Sequence, residues 1–248
     1  MVHPIGPERT EGLEVLRRNQ YRSLQAVDRA VDRLLGALED TGRLDDALVI
    51  FTTDNGLLWG EHRWLKKEVP YEEAIRVPLL VRADAIVGEG VRTDDHLVAN
   101  IDLAPTIANV AGVELPDAEG KSLVPLLTGT ADGWRSALLI EHMRGTNPIP
   151  TYCAVRTERY LFASYDTGER ELYDLNADPY ELRNLSGTEL GIEGRLDTTL
   201  RSLCDPPPPG FRPQMGLAAT LLGIAAVMAL AVGARLLLVR SREPRPVA

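Results

Sequence analysis

Apolar residues recur at helical spacing in the N-terminal part of the chain. Leu24, Val27, Val31, Leu34 and Leu38 follow one another every three or four positions, which predicts an amphipathic helix over about residues 11–40. Charged residues such as Asp28 fill the intervening positions. Gly42 is the residue type that ends such a helix, so the helix is expected to stop just before it.

Short apolar runs alternate with helical segments over the next part of the chain. Residues 47–52 and 77–81 are strand-like, and residues 70–74 read as a short helix or turn. Asp102 suits the N-cap of a helix over 103–111, which Gly112 ends. This alternation predicts an α/β fold: a mostly parallel sheet with flanking helices over residues 1–134.

The pattern changes beyond residue 134. Four short strand-like runs, separated by turn residues, lie at about 138–140, 152–156, 159–163 and 171–175. Runs of this length with close turns are typical of antiparallel pairing. Residues 135–203 are therefore predicted to form a small antiparallel α+β subdomain.

The C-terminal region has the composition of a membrane anchor. Residues 204–214 form a proline-rich spacer, and residues 215–239 are apolar apart from one threonine and Arg235. About 20 such residues cross a bilayer, so a transmembrane helix is predicted, the alternative being a buried core helix. The basic tail 240–248 places the C-terminus in the cytoplasm.

Charge and cysteine content narrow the function classes. The net charge of −9 argues against a nucleic-acid binder, which would present a basic face. Two cysteines cannot build a disulfide framework and say little about the compartment. The first ten residues lack the apolar segment of a secretory signal.

The strongest candidate site follows the strand at 47–52. Asp54 and Asn55 stand at its end, before Gly56, where open α/β sheets bind their ligands. Their side-chain oxygens suit a hard cation such as Ca²⁺ or Mg²⁺, and Lys67 could hold an anion beside it. The alternative is an Asx turn that only caps the strand.

Residues 52–81 carry a longer pattern around this candidate site. Asp54-Asn55-Gly56 is followed by Gly60-Glu61-His62-Arg63, Lys66-Lys67, Tyr71-Glu72-Glu73 and Ile75-Arg76-Val77-Pro78. Further segments follow in order at 100–106, 111–112, 120–127, 154–157, 171–175 and 178–185. Over about residues 10–200 the chain resembles the C-terminal half of the sulfatase family, in the alkaline-phosphatase-like superfamily.

The resemblance assigns roles to individual residues. It makes Asp54 and Asn55 metal ligands and Lys67, rather than its neighbour Lys66, the sulfate-contacting lysine. His62 is expected to be a structural hydrogen-bonding residue instead of a proton donor. Glu61 and Arg63 are expected to form salt bridges, Glu72, Glu73 and Arg76 an ion-pair network, and His96 and His142 to be surface or packing residues.

The family's nucleophile is absent from these residues. Sulfatases use a formylglycine made from Cys or Ser in a Cys/Ser-x-Pro-x-Arg motif, which forms a covalent intermediate. Cys153 fails at the Pro and Arg positions, and Cys204 has Pro208 in place of the Arg. No serine meets the motif. The family's further ligands include an Asp-Asp pair, and the pairs at 45–46 and 94–95 lie in the wrong order and context to supply it.

The resemblance therefore implies a metal-dependent sulfatase acting on sulfated sugars or similar sulfate esters, here a fragment that is inactive alone. Its domain would be extracytoplasmic if a missing N-terminus supplied a signal, with the C-terminal helix in membrane lipid. Two alternatives stay open: a non-catalytic, membrane-anchored remnant or interaction module, and a phosphodiester or phosphonate hydrolase of the same superfamily.

Overall fold

The computed structural model describes residues 7–88, 90–145, 148–209 and 211. It divides into two compact units, residues 1–138 and 139–248, here called the first and the second unit. The division falls close to the boundary predicted at residue 134.

A long helix opens the first unit. Helix α1 spans Pro7–Asp40, so the predicted N-terminal helix is confirmed. Gly42 adopts a positive φ of 64° and its N–H donates to the carbonyl of Glu39, while the N–H of Arg43 donates to that of Leu38. These bonds satisfy carbonyls that the helix end would leave unpaired, and glycine adopts the left-handed conformation without a Cβ penalty.

The remaining elements of the first unit are short. They are β1 Val49–Phe51, β2 Leu58–Trp59, a 3-10 turn Glu61–Arg63, β3 Leu65–Lys66, α2 Glu72–Ile75, β4 Leu80–Arg82, α3 Asp84–Val87, a 3-10 turn Asn100–Asp102, α4 Leu103–Val110 and α5 Val124–Thr128. Strand β1 pairs antiparallel with β4, and β2 pairs antiparallel with β3.

The expected mostly parallel sheet is therefore wrong for the strands that the structure describes in this unit. A parallel pair needs a crossover connection, usually a helix long enough to cover the sheet. Between β1 and β4 the chain instead forms a hairpin and a four-residue helix. It returns beside β1 in the opposite direction, so Phe51 lies opposite Leu80.

A buried ion pair organises the segment around α4. The carboxylate of Asp102 is fully buried and receives both terminal nitrogens of Arg135, at 2.9 and 2.6 Å. It also accepts the backbone N–H groups of Ala99 and Lys121. Asp102 stands at the predicted N-cap position of α4, but its side chain makes no capping bond to that helix. The carboxylate instead joins three separate segments.

The second unit is built on a four-stranded sheet in the order β5-β6-β7-β8. Its strands are β5 Ala137–His142, which begins at the unit boundary, β6 Tyr152–Thr157, β7 Tyr160–Tyr165 and β8 Arg170–Asp174, followed by α6 Leu190–Leu203. The β6/β7 and β7/β8 pairs are antiparallel, as predicted. Its core includes the fully buried side chains of Leu161, Phe162 and Leu172.

Two further links join α6 to the sheet. Arg170 on β8 pairs with Glu193 at 2.8 Å and with Asp197, both on α6. Cys153 on β6 forms a disulfide with Cys204, the residue that ends α6. The sequence did not predict this pairing, because 51 positions separate the two cysteines.

No helix among the described residues is both long and apolar enough to cross a membrane. The predicted transmembrane segment, residues 215–239, lies outside the described residues.

Candidate functional site

The loop after β1 presents two oxygen-bearing side chains. Thr53 donates its hydroxyl to the carboxylate of Asp54 at 3.2 Å. Asn55 donates its amide N–H to the carbonyl of Gly56 at 2.8 Å, which turns its amide oxygen away from the backbone. Gly56 donates in turn to the carbonyl of Ala74 at 2.9 Å. The bond from Gly56 thus anchors the loop on α2.

Gly56 must be a glycine for this anchorage. A Cβ at this position would lie 2.0 Å from the carbonyl oxygen of Glu73. The glycine thus permits a close backbone approach between the loop and α2.

Lys67 reaches the same two side chains from the β2–β3 hairpin. Its ammonium donates to the amide oxygen of Asn55 at 2.6 Å and lies 3.7 Å from the carboxylate of Asp54. Lys66 is exposed on β3, opposite Leu58. The structure therefore brings together the three residues selected from the sequence, although they are separated by up to 13 positions (54 to 67).

The site is accessible to solvent, and its surroundings favour the ionised form of Asp54. The side chain of Asp54 is 80% exposed and that of Lys67 is 45% exposed. The hydroxyl of Thr53 and, more weakly, the nearby Lys67 hold the pKa of Asp54 below its ordinary value. The carboxylate therefore stays negative to a lower pH than that of an unperturbed aspartate.

The hairpin that carries Lys67 has an unusual backbone. His62, Arg63, Lys66 and Glu68 all adopt positive φ angles, between 49° and 80°. Side chains with a Cβ rarely adopt this conformation, which costs about 1–3 kcal/mol per residue where it occurs. Such a cluster is typical of segments whose shape is fixed by the surrounding structure for a functional reason.

His62 connects the hairpin to the segment around α2. Its imidazole stacks on Tyr71, with ring centroids 3.9 Å apart, and its Nε2 lies 3.8 Å from the carboxylate of Glu73. The stacking is a packing role, whereas 3.8 Å is too long for the hydrogen bond that was predicted for His62. The predicted ion-pair network is only partly right: Arg76 contacts Glu72 at 3.7 Å, whereas Glu73 faces His62.

The other two histidines that the structure describes lie elsewhere. His96 bonds to the carboxylate of Asp94 at 2.7 Å, and its ring lies at 76° to that of Trp134. His142 stacks on Tyr152 in the second unit. Both contacts are packing contacts, as expected.

The donor set at the loop fits a hard divalent cation. A carboxylate and an amide oxygen are the ligands that Ca²⁺ and Mg²⁺ take, and the ammonium of Lys67 already lies beside both oxygens. Two protein ligands are fewer than the six to eight oxygens that Ca²⁺ binds. Water or further side chains would have to complete the shell.

One feature beside this site was not predicted. A cleft of about 240 Å³ lies between α1 and the β2–β3 hairpin, and it is lined by Arg17, Gln20, Tyr21, Leu24, Trp59 and Glu61. Only the tertiary structure brings the α1 residues opposite Trp59.

Solved structures share this architecture. One was determined in complex with its substrate D-glucosamine-2-N,6-O-disulfate; it is 32% identical, with a TM-score of 0.69, over 73% of this chain and 39% of that one. The phosphonate monoester hydrolase of Agrobacterium radiobacter is 28% identical, with a TM-score of 0.69, over 78% and 42%. These likenesses define an alkaline-phosphatase-like α/β fold with an antiparallel C-terminal sheet.

The family follows from the sequence matches. Residues 60–202 match the family described as N-sulphoglucosamine sulphohydrolase, C-terminal, and residues 5–113 match the family described as Sulfatase. The chain belongs to the sulfatase family, a family of sulfuric ester hydrolases, and corresponds to its C-terminal half.

Curated relatives are consistent with this assignment. The N-acetylglucosamine-6-O-sulfatase of Bacteroides thetaiotaomicron is 35% identical over 68% of this chain and 32% of its own length. The human N-acetylglucosamine-6-sulfatase is 34% identical over 69% and 37%, and the choline-sulfatase of Rhizobium meliloti 32% over 73% and 35%. The chain thus spans about a third of the length of the curated relatives it matches.

Proposed function

We propose that this chain supplies the C-terminal part of a sulfatase active site, for a sulfated sugar or a similar sulfate ester. Asp54 and Asn55 would hold a divalent cation, Ca²⁺ or Mg²⁺, and Lys67 would bind the sulfate group. The observation that carries the proposal is the convergence of these three side chains, with the Lys67 ammonium 2.6 Å from Asn55 and 3.7 Å from Asp54.

The chemistry of the three groups supports this division of roles. A lysine ammonium is a compact charge that suits a tetrahedral anion. A bound cation would supply Lewis-acid polarisation of a sulfate oxygen. The bond from its amide N–H to Gly56 orients the Asn55 side chain, and the hydrogen bond from Thr53 lowers the pKa of Asp54.

We further propose that residues 1–248 do not turn over sulfate esters by themselves. They contain no Cys/Ser-x-Pro-x-Arg motif from which a formylglycine could be made. Purified full chain incubated with 4-nitrophenyl sulfate and Ca²⁺ should release no 4-nitrophenol above the buffer rate. Turnover that disappears in the Lys67→Gln variant would refute this part of the proposal.

Binding tests the proposed roles without requiring turnover. Calorimetric titration of the full chain with CaCl₂ should give a site that Asp54→Asn weakens at least about tenfold, whereas Asp46→Asn, an exposed acid before the same strand, should have no effect. Titration with sodium sulfate should be weakened about 10- to 100-fold by Lys67→Gln, since charged hydrogen bonds contribute about 1.5–3 kcal/mol. Lys66→Gln is the matched control, and equal losses in both lysine variants would contradict the assignment.

A second candidate is supported by one observation. The likeness to a phosphonate monoester hydrolase favours a phosphonate or phosphodiester as the alternative substrate, because one fold serves several chemistries. Titration with methylphosphonate beside sulfate distinguishes the two: tighter phosphonate binding that depends on Lys67 would favour this candidate.

We also propose that the folded units lie outside the cytoplasm, in a membrane-anchored protein whose C-terminus is cytoplasmic. The Cys153–Cys204 disulfide supports an oxidising compartment. In membrane vesicles of known orientation, a C-terminal epitope tag should be digested from the cytoplasmic side while the disulfide-bonded unit is protected. Digestion of both from one side would contradict this topology.

A further inference from the structure

The cleft between α1 and the β2–β3 hairpin has the chemistry of a saccharide-binding site. It combines two aromatic side chains, Tyr21 and Trp59, with hydrogen-bonding groups of both kinds on Arg17, Gln20 and Glu61. Sugar rings have an apolar C–H face that packs on aromatic rings, and a rim of hydroxyls that needs donors and acceptors. Neither the aromatic rings nor the hydrogen-bonding groups alone would select a sugar.

The side chains of the cleft are held in place by one another. The guanidinium of Arg17 lies 5.6 Å from the centroid of the Tyr21 ring, and its nitrogens donate to the Tyr21 hydroxyl at 3.3 and 3.4 Å. On the opposite wall, the carboxylate of Glu61 accepts the backbone N–H of Trp59. Both walls therefore present ordered polar groups beside an aromatic ring.

The cleft lies on the same hairpin as the proposed sulfate-binding lysine. Trp59 pairs with Leu65 and Leu58 pairs with Lys66, and Lys67 follows directly. The cleft and the proposed sulfate-binding lysine therefore share one short hairpin, with Lys67 two residues beyond Leu65, the partner of Trp59.

The volume of the cleft limits what it holds. At about 240 Å³ it is smaller than the roughly 300–1,000 Å³ of pockets for drug-sized ligands. It accommodates a single ring-sized group, and its open side leaves room for a chain to continue into solvent.

We propose that this cleft is a saccharide subsite that binds the sugar residue next to the one whose sulfate lies at Lys67. The inference rests on the proposed function of Lys67, and it narrows the substrate class to sulfated oligosaccharides. The Tyr21 and Trp59 rings pack on the sugar, and Arg17, Gln20 and Glu61 bond to its hydroxyl or anionic substituents.

The test compares ligands of different length on variants of the full chain. Calorimetric titrations would use inorganic sulfate, glucosamine-6-sulfate and a disaccharide that carries glucosamine-6-sulfate at one end. Arg17→Ala and Gln20→Ala should each weaken binding of the disaccharide by about 3- to 10-fold, the loss of one or two hydrogen bonds. They should leave the affinity for inorganic sulfate unchanged.

The matched controls are Arg18→Ala and Gln25→Ala, which remove the same residue types from exposed positions of α1 outside the cleft. All four variants remove exposed helix side chains, and far-UV circular dichroism verifies that α1 is intact. The controls should bind all three ligands as the wild-type chain does.

Three results would overturn the inference. The first is disaccharide binding no tighter than that of glucosamine-6-sulfate, and the second is equal losses in cleft and control variants. If Lys67→Gln still weakens sulfate binding in those cases, only the subsite is refuted and the proposed function stands. The third is a Lys67→Gln variant with unchanged affinity for inorganic sulfate, which refutes the proposed function and with it this inference.

Discussion

Opening the Cys153–Cys204 disulfide should destabilise the second unit by about 4 kcal/mol. The cross-link spans 51 positions, and in the chain-entropy description a loop of this length removes about 14 cal/mol/K from the unfolded state. At 298 K this is about 4.1 kcal/mol. The value is a large share of the stability of a small unit, because whole domains are stable by only about 5–15 kcal/mol.

The structure also indicates what would remain after the cross-link is opened. Helix α6 keeps Leu196 and Leu200 buried, and Glu193 and Asp197 keep their bonds to Arg170. The free thiols would stay close to each other and to the carboxylate of Glu141, 3.9 Å from both sulfurs. We therefore expect a weakened second unit that still folds.

Urea unfolding of the full chain measures this effect. All three tryptophans, at positions 59, 64 and 134, lie in the first unit, whereas five of the seven tyrosines lie in the second. Near-UV circular dichroism of tyrosine thus reports mainly on the second unit, and tryptophan fluorescence reports on the first. With an m-value of about 1–2 kcal/mol/M, the tyrosine midpoint should fall by about 2–4 M urea in Cys153→Ala/Cys204→Ala.

Reduction of the wild-type chain with dithiothreitol is the control for lost packing. It opens the cross-link and adds only a hydrogen atom to each sulfur, so no side-chain atom is lost. It should move the tyrosine midpoint by a similar amount and leave the tryptophan midpoint in place. The reasoning is refuted if the double variant and the reduced protein unfold within about 0.5 M urea of the oxidised wild type, a shift worth less than about 1 kcal/mol.

Three other predictions concern single residues. Gly56→Ala should cost about 1–3 kcal/mol in urea unfolding followed by tryptophan fluorescence, because the new Cβ would meet the carbonyl of Glu73; an unchanged midpoint would contradict the close approach. Asp102→Asn should cost about 3–5 kcal/mol in the same assay, since Arg135 would lose its buried partner; a loss under about 1 kcal/mol would show that the pair is not structural. Hydrogen bonds from Arg159 hold the pKa of Asp174 below its ordinary value, so the stabilisation is complete above about pH 4 and is lost as the pH falls further. The difference in melting temperature between wild type and Asp174→Asn should thus be constant from about pH 5 to 7 and shrink below pH 4; a difference that grows on acidification would refute the sign.

The candidate site was largely predictable from the sequence. Asp54, Asn55 and Lys67 were selected by their order and spacing, and the structure places them in contact. Their roles as metal and sulfate ligands remain predictions. A structural role was predicted for His62 as well, but its partners, Tyr71 and Glu73, were not, because they come from a segment that only folding brings beside the ring.

Other features could not be read from the sequence for a common reason. Strand pairing direction depends on how the chain returns between strands, so β1 and β4 could look like members of a parallel sheet and still pair antiparallel. Asp102 has the right position for a helix cap, yet its carboxylate is directed to Arg135, 33 positions away. Local propensity favoured the cap, and a buried partner outweighed it.

The sequence by itself determined the family, the long helix α1, the antiparallel sheet of the second unit and the three residues of the candidate site. These features are encoded in local periodicity and in short ordered motifs, which keep their meaning before the chain folds. Only the tertiary structure decided the Cys153–Cys204 cross-link, the Asp102–Arg135 pair and the cleft between α1 and Trp59. Each of these joins segments distant in sequence, and such contacts depend on how whole elements pack against one another.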